Sequence, residues 1–317
     1  MTSASGWRRA LPVVQVIVAA GLLALLWRLA DGQQALALLA SLHPAWVALA
    51  FLALSLQTVV SAIRWRITAA PLSIEMGWTT ALREYYLSQV VNQVLPGGIL
   101  GDAGRAYRSR GQAGLRGSGQ SVVLERLTGQ VALFAVMILA FLTTTLAPGG
   151  LSWPTWLGTL LGVVVVAVGF VIVLSFRLLR TILPGGIARL MGSAVGLMKR
   201  VWLPPGRLAT QAALSLSTAL LNVLAFASCV WAVGGQLAPA AALVVVPLVL
   251  LAMLIPLSVS GWGVREGAAA TLLPLAGVAS SEALAGSVAF GLIFLISSLP
   301  GVVFVRSGGV ASTRSTR

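Results

Sequence analysis

The sequence predicts an all-α, polytopic integral membrane protein, and three observations carry that expectation. Hydrophobic residues make up 58% of the 317 positions, charged residues only 9%, and the mean hydropathy is +0.97. No water-soluble core could bury that much apolar side chain. Apolar runs at 11–27, 44–63, 131–146, 156–176 and 208–233 approach or exceed the roughly 18 to 20 residues that span a bilayer's hydrocarbon, and a further one precedes Arg306. Basic loops, finally, alternate with loops that hold no lysine or arginine.

That alternation sets the orientation. Arg8 and Arg9 place the N-terminus inside, and the stretch after them is too long and lacks the small-residue cleavage pattern of a signal peptide. Arg64 and Arg66, then Arg105, Arg108, Arg110 and Arg116, then the basic run 177–207, then Arg306, Arg314 and Arg317 all fall on the same side. The opposite loops, 31–43, 147–153, 234–239 and 278–282, contain no cation, and Arg28 is the main exception. Both termini are therefore expected in the cytoplasm of a bacterium, with the chain in its inner membrane. Trp7, Trp27, Trp46, Trp65, Trp153, Trp156, Trp202 and Trp231 fall at or near span ends, where an indole favours the headgroup layer.

Two stretches do not read as ordinary spans. Residues 79–108 and 240–275 are too polar and too often broken to face lipid along their length. Pro96, Gly97, Gly98 and Gly101 interrupt the first, and Pro256, Gly261 and Gly263 the second. Backbone freed from helical pairing is tolerated at membrane depth only inside protein or beside a water-filled cavity. Both are therefore read as re-entrant or discontinuous helix pairs. The expected architecture is about six full spans plus these two pairs in one domain covering residues 1–317. A cytoplasmic N-terminus (1–10) precedes two halves, 44–145 and 208–305, joined by a basic linker (177–207) and followed by a cytoplasmic tail (306–317). The halves are related by inversion in topology, an arrangement that puts transporter binding sites at the repeat interface.

Four of the seven acids, Glu84, Asp102, Glu125 and Glu266, lie in or beside the broken segments, although each intramembrane charge costs about 2.5 to 3.5 kcal/mol. Arg83, Arg105, Arg126 and Arg265 accompany them, with Asn92 and Gln93. The charges can neutralise one another as buried ion pairs. Alternatively one arginine, Arg105 or Arg265, is left free for a headgroup phosphate, which suits a planar guanidinium. Gly97 and Gly98 could also offer backbone N–H groups to an anion.

Absences restrict the chemistry. With one histidine (His43), one cysteine (Cys229) and two aspartates (Asp31, Asp102), neither a histidine nucleophile nor a metal cluster is supported, and the only lysine, Lys199, sits in no nucleotide-binding loop. No enzyme activity, metal or cofactor is expected. The +14 net charge lies in short loops and tails where it meets anionic lipid, so nucleic acid is not an expected partner.

NQVLPGGILGDAGRAYRSR, SVVLERLTGQ and PLSVSGWGVREGAA, in that order and spacing, resemble the transmembrane region of lysylphosphatidylglycerol synthases and the stand-alone flippase-like proteins grouped with it, over roughly residues 44–306. The resemblance implies a lipid-flippase domain with re-entrant helices. The synthases carry a soluble aminoacyl-transferase domain after this region; here the sequence ends eleven residues beyond Arg306, so aminoacyl-tRNA use is not expected. The expected function is translocation of an anionic phospholipid or lipid-linked intermediate between leaflets. The alternative is a non-transporting membrane partner or regulator of a separate glycosyl- or aminoacyl-transferase, and self-association is left open. Candidate lipid-binding residues are Asn92, Gly97, Gly98, Asp102, Arg105, Glu125, Arg126, Ser258, Trp262, Arg265 and Glu266.

A reporter active only outside the cytoplasm, fused after Arg317, should stay silent; strong activity would mean that the number of crossings is odd.

Overall fold

The computed structural model describes residues 4–95, 98–148, 150–163, 166, 196–197, 199–202, 204–254 and 258–307. The elements within these are helices: α1 (Ala4–Leu29), α2 (Gly32–Ala40), α3 (Pro44–Ala69), α4 (Trp78–Val94), α5 (Leu100–Arg108), α6 (Arg110–Leu146), α7 (Arg207–Ala232), α8 (Pro239–Ala252), α9 (Val264–Leu272), α10 (Ser280–Ser298) and α11 (Pro300–Ser307). A further helical stretch, 155–163, follows α6.

Four segments are long and apolar enough to cross a membrane: Pro44–Leu72, Arg110–Leu146, Arg207–Ala232 and Ser280–Val303. Val14–Leu29 with Gly32–Ala40 makes a fifth if that bent pair counts as one span. The sequence reading expects six. Its 156–176 span lies mostly outside the described residues, as do most of the 177–207 linker and the tail beyond 307. Side chains such as Leu52, Val131, Leu139 and Leu146 point out of the molecule, as expected where hydrocarbon replaces water.

The 31–43 segment, read from sequence as a loop, instead carries α2, bent by 94° from the preceding helix. Asp31 makes the corner. At φ 50° its side chain accepts the backbone N–H of Gln34 at 3.2 Å, capping α2, and Ala35 then packs with Ala30, Val233, Leu284 and Ala285. Apolar packing against α10 outweighs the turn-like composition of this stretch.

The centre of the fold is the antiparallel pair α3 and α7. The His43 N–H donates to the Ala232 carbonyl at 2.9 Å at one end, and Gln211 donates to Thr68 Oγ1 at 3.0 Å near the other. Small residues such as Ala50, Ala53, Ala219 and Ala225 let the helices approach closely, which is how helices associate where lipid competes for apolar contact.

Each member of this pair opens the same order of elements. A long helix is followed by a medium one, a break, a nine-residue helix and a second long helix: α3–α4–α5–α6, then α7–α8–α9–α10. In the first break Gly98 has φ 61°. In the second, Ser260, Gly261 and Gly263 have φ 51°, 79° and 84°, so the chain turns through left-handed geometry three times within four residues. Pro96, Gly97 and Pro256, named as breakers from sequence, lie outside the described residues.

The hairpin α4–α5 depends on Gly101. A Cβ there would run into the carbonyl of Ser88 on α4, so no other residue permits that approach. Gly101→Val should cost at least about 2 kcal/mol by overpacking and lower the unfolding temperature of the detergent-solubilised protein. Gly111→Ala, which meets nothing within 4 Å, should leave that temperature unchanged.

Candidate functional site

Sequence periodicity places a polar stripe on α3. Gln57, Ser61, Arg64 and Thr68 recur at the spacing of one helix face, and Gln211, Ser215, Thr218 and Asn222 recur in the same way on α7. The stripes meet: Arg64 Nη1 donates to Thr218 Oγ1 at 2.9 Å. A guanidinium inside a membrane protein also needs a carboxylate, and α6 supplies Glu125.

Glu125 is the hub. Its Oε1 accepts from Arg64 Nε at 3.2 Å, from Arg64 Nη2 and from the Tyr85 hydroxyl at 3.3 Å, while its Oε2 accepts from Arg105 Nη2 at 3.2 Å. Arg105 also reaches Asp102 at 3.0 Å, one turn earlier on α5. Its guanidinium lies 4.5 Å from the Trp65 ring centroid and 4.6 Å from that of Tyr85, so π faces take the place of water. Asp102 in turn accepts from Ser88 Oγ at 3.0 Å, from Asn92 Nδ2 at 3.2 Å and from Arg126. The Gly101 N–H donates to Asn92 Oδ1 at 2.7 Å and ties the break to α4. Three guanidiniums face two carboxylates, leaving one positive charge. Arg64, Arg105 and Glu125 are buried, whereas the Arg126 side chain is 41% exposed.

The second broken segment holds a closed pair. Arg265 and Glu266 are fully buried and joined by the Nε to Oε1 bond of 3.0 Å. Glu266 Oε2 accepts the Gly263 N–H at 2.6 Å, capping α9, and Ser287 on α10 accepts from Arg265 Nε at 3.1 Å. The guanidinium lies 4.8 Å from the Trp262 centroid. Gly291 on α10 leaves the room that Arg265 and Trp262 occupy.

Between the segments lies a cavity of about 470 Å³, within the roughly 300–1,000 Å³ of ligand sites. Among the predicted residues Asn92, Gly98, Asp102, Glu125, Arg126 and Ser258 line it. Arg105, Trp262, Arg265 and Glu266 do not, and Gly97 lies outside the described residues. The walls touch where Ser260 Oγ donates to Gln93 Oε1, joining the first broken segment to the second.

Both arginines offered for phosphate are ion-paired, although Arg105 Nε and Nη1 and Arg265 Nη1 find no hydrogen-bond partner among the described residues. Arg105 is held by two acids and two rings, and Arg265 is sealed with Glu266. The cavity's arginines are Arg126 and Arg64. Arg64, read from sequence as a loop charge, is 4% exposed because α3 continues past it to Ala69. Trp65, read as an interfacial anchor, is wholly buried beneath Arg105 and donates to Ser121 Oγ at 3.2 Å. The polar stripe of α3 was the available signal for both. Among the described residues no group of three or more His, Cys, Asp or Glu converges as a metal site.

Glu125→Ala would leave two buried arginines without their shared partner and should cost about 3 to 5 kcal/mol, as should Arg265→Ala by stranding Glu266. Both variants should yield little monodisperse protein in detergent. Arg126→Ala, at a half-exposed position, should stay within about 1 kcal/mol of the parent, and its unfolding temperature checks that difference.

A scan against protein-family models matches residues 13–301 to the lysylphosphatidylglycerol synthase TM region. Searches of curated proteins and of solved structures returned no match. The family match spans nearly the whole chain and contains every element of the site. The chain belongs to the lysylphosphatidylglycerol synthase TM region family and is a multi-pass membrane protein of a kind associated with lipid handling.

Proposed function

We propose that the protein moves the headgroup of an anionic phospholipid or lipid-linked intermediate between the leaflets of a bacterial inner membrane. The observation that carries this reading is the excess positive charge of the Arg64, Arg105, Arg126, Asp102 and Glu125 cluster, which reaches the cavity through the half-exposed Arg126. A phosphate entering the cavity would meet that guanidinium in a site screened from bulk water, where a charge-assisted bond is strongest. Acyl chains would remain in the surrounding bilayer.

The recurring element order supports an inverted repeat of the 44–145 and 208–305 halves within a single domain. Each half contributes a broken segment to one wall of the cavity, as alternating-access transporters require. Six crossings with both termini cytoplasmic fit this arrangement. No chemical step is assigned, because the charged groups serve one another and the cavity, and the protein acts on the position of its lipid.

Vesicles containing the purified full chain and a fluorescent phosphatidylglycerol should lose the protected inner-leaflet signal to an external quencher far faster than protein-free vesicles. Arg126→Ala should slow that exchange at least about tenfold, the effect of about 1.4 kcal/mol of lost headgroup interaction, while remaining folded. A parent protein that binds lipid without accelerating exchange would favour the alternative, a membrane partner of a separate transferase.

A further inference from the structure

Beside the ion cluster, the cavity has uncharged polar residues on both of its facing walls. Gln57 Oε1, Gln93 Nε2 and Ser258 Oγ are buried, find no hydrogen-bond partner among the described residues, and belong to residues that line the cavity. Gln93 is 8% exposed and Ser258 2%. A desolvated polar atom left unpaired is costly, so three around one cavity mark where a ligand's hydrogen bonds go.

Their demands differ. A carboxamide oxygen needs a donor, a carboxamide NH₂ needs an acceptor, and a serine hydroxyl takes either. The ionised oxygens of a phosphodiester only accept and an ammonium only donates, so neither satisfies the set. A hydroxyl does both, and its pairing survives either orientation of each amide, since turning one merely exchanges donor for acceptor. Phe290 and Phe294, on the same cavity, offer apolar surface to the C–H face of a ring.

We infer that the cavity takes a polyhydroxylated headgroup, a sugar or cyclitol, with the Arg126 side reserved for the phosphate that links it to lipid. This assignment deepens the proposed translocation and rests on it for the biological role, but binding tests it separately.

The full chain in lipid nanodiscs would be titrated with phosphatidylinositol, monoglucosyl diacylglycerol and phosphatidic acid, with bound lipid read by native mass spectrometry. At least one of the two hydroxyl-rich lipids should bind about tenfold tighter than phosphatidic acid, the effect of one or two added hydrogen bonds. Preference for phosphatidylinositol over the glucosyl lipid would assign a share to the phosphate, and equal binding of those two would place recognition in the hydroxyls alone. Ser258→Ala removes a hydroxyl that no described residue uses, so the unfolding temperature should hold while hydroxyl-rich lipid binding weakens about five- to tenfold and phosphatidic acid binding does not change. Phosphatidic acid binding as tightly as both hydroxyl-rich lipids, or a Ser258→Ala variant that binds them like the parent, would overturn the assignment. Selective binding with no leaflet exchange would leave the headgroup assignment standing and sink translocation instead.

Discussion

One carboxylate organises the first half of this protein. Charge inside a membrane protein is stable only when paired and hydrogen-bonded, and Glu125 of α6 is paired with Arg64 of α3 and Arg105 of α5 while the hydroxyl of Tyr85 on α4 closes the shell. Four helices thus converge on a single group. Arg64 carries the network across to α7 through Thr218, so the site is built onto the antiparallel pair at the centre of the fold. The hairpin α4–α5 is too polar to be held by lipid exclusion, and its position follows from where Asp102 and Arg105 find partners.

The two broken segments share an element order but not an electrostatic outcome. Arg265 and Glu266 neutralise each other, Glu266 spends its second oxygen on capping α9, and the pair carries no net charge. Around the first segment, Arg126 of α6 enlarges the cluster to three cations against two anions. The buried members rigidify the wall, and Arg126 is the cavity-lining member that is half-exposed. Preorganisation of this kind lets a charged group bind without first losing its own conformational freedom.

Legibility in the sequence followed the physics of each signal. Membrane class, the central helices and the two broken segments were readable because hydropathy and Gly/Pro interruption are local properties. So was the gathering of charge around Asp102, Glu125 and Arg126. The role of each arginine was not readable, because pairing depends on which helix faces which. Arg64 sits four residues from Thr68 and two from Arg66, and linear context made it a loop cation. Only the partnership of α3 with α7 and α6 turns it inward. Trp65 failed for the same reason: an indole near a span end suits an interface equally well as the floor beneath a guanidinium. The bend at Asp31 was missed because α2 is stabilised by contact with α10, a partner almost 250 positions away.

Unequal bond strengths around the cavity indicate which contacts could change during the proposed translocation. Arg64, Arg105, Glu125, Arg265 and Glu266 are bonded and desolvated, so separating any of them from its partner would expose a charge to a poor solvent at a cost of several kcal/mol. The contact between the two broken segments is different in kind. Gln93 and Ser260 share one neutral hydrogen bond, and such a bond contributes only about 0.5 to 1.5 kcal/mol net. Ser260 stands in left-handed backbone beside Gly261, where a residue with a Cβ is held only by its surroundings. A lipid hydroxyl that replaced Ser260 as Gln93's partner would release both the contact and the strained turn, at little net cost in hydrogen bonds. The charged clusters would stay whole on either side. In the proposed translocation, the polar but uncharged seam between the segments is therefore the part of the wall built to open, and the guanidinium–carboxylate networks are the parts built to stay shut.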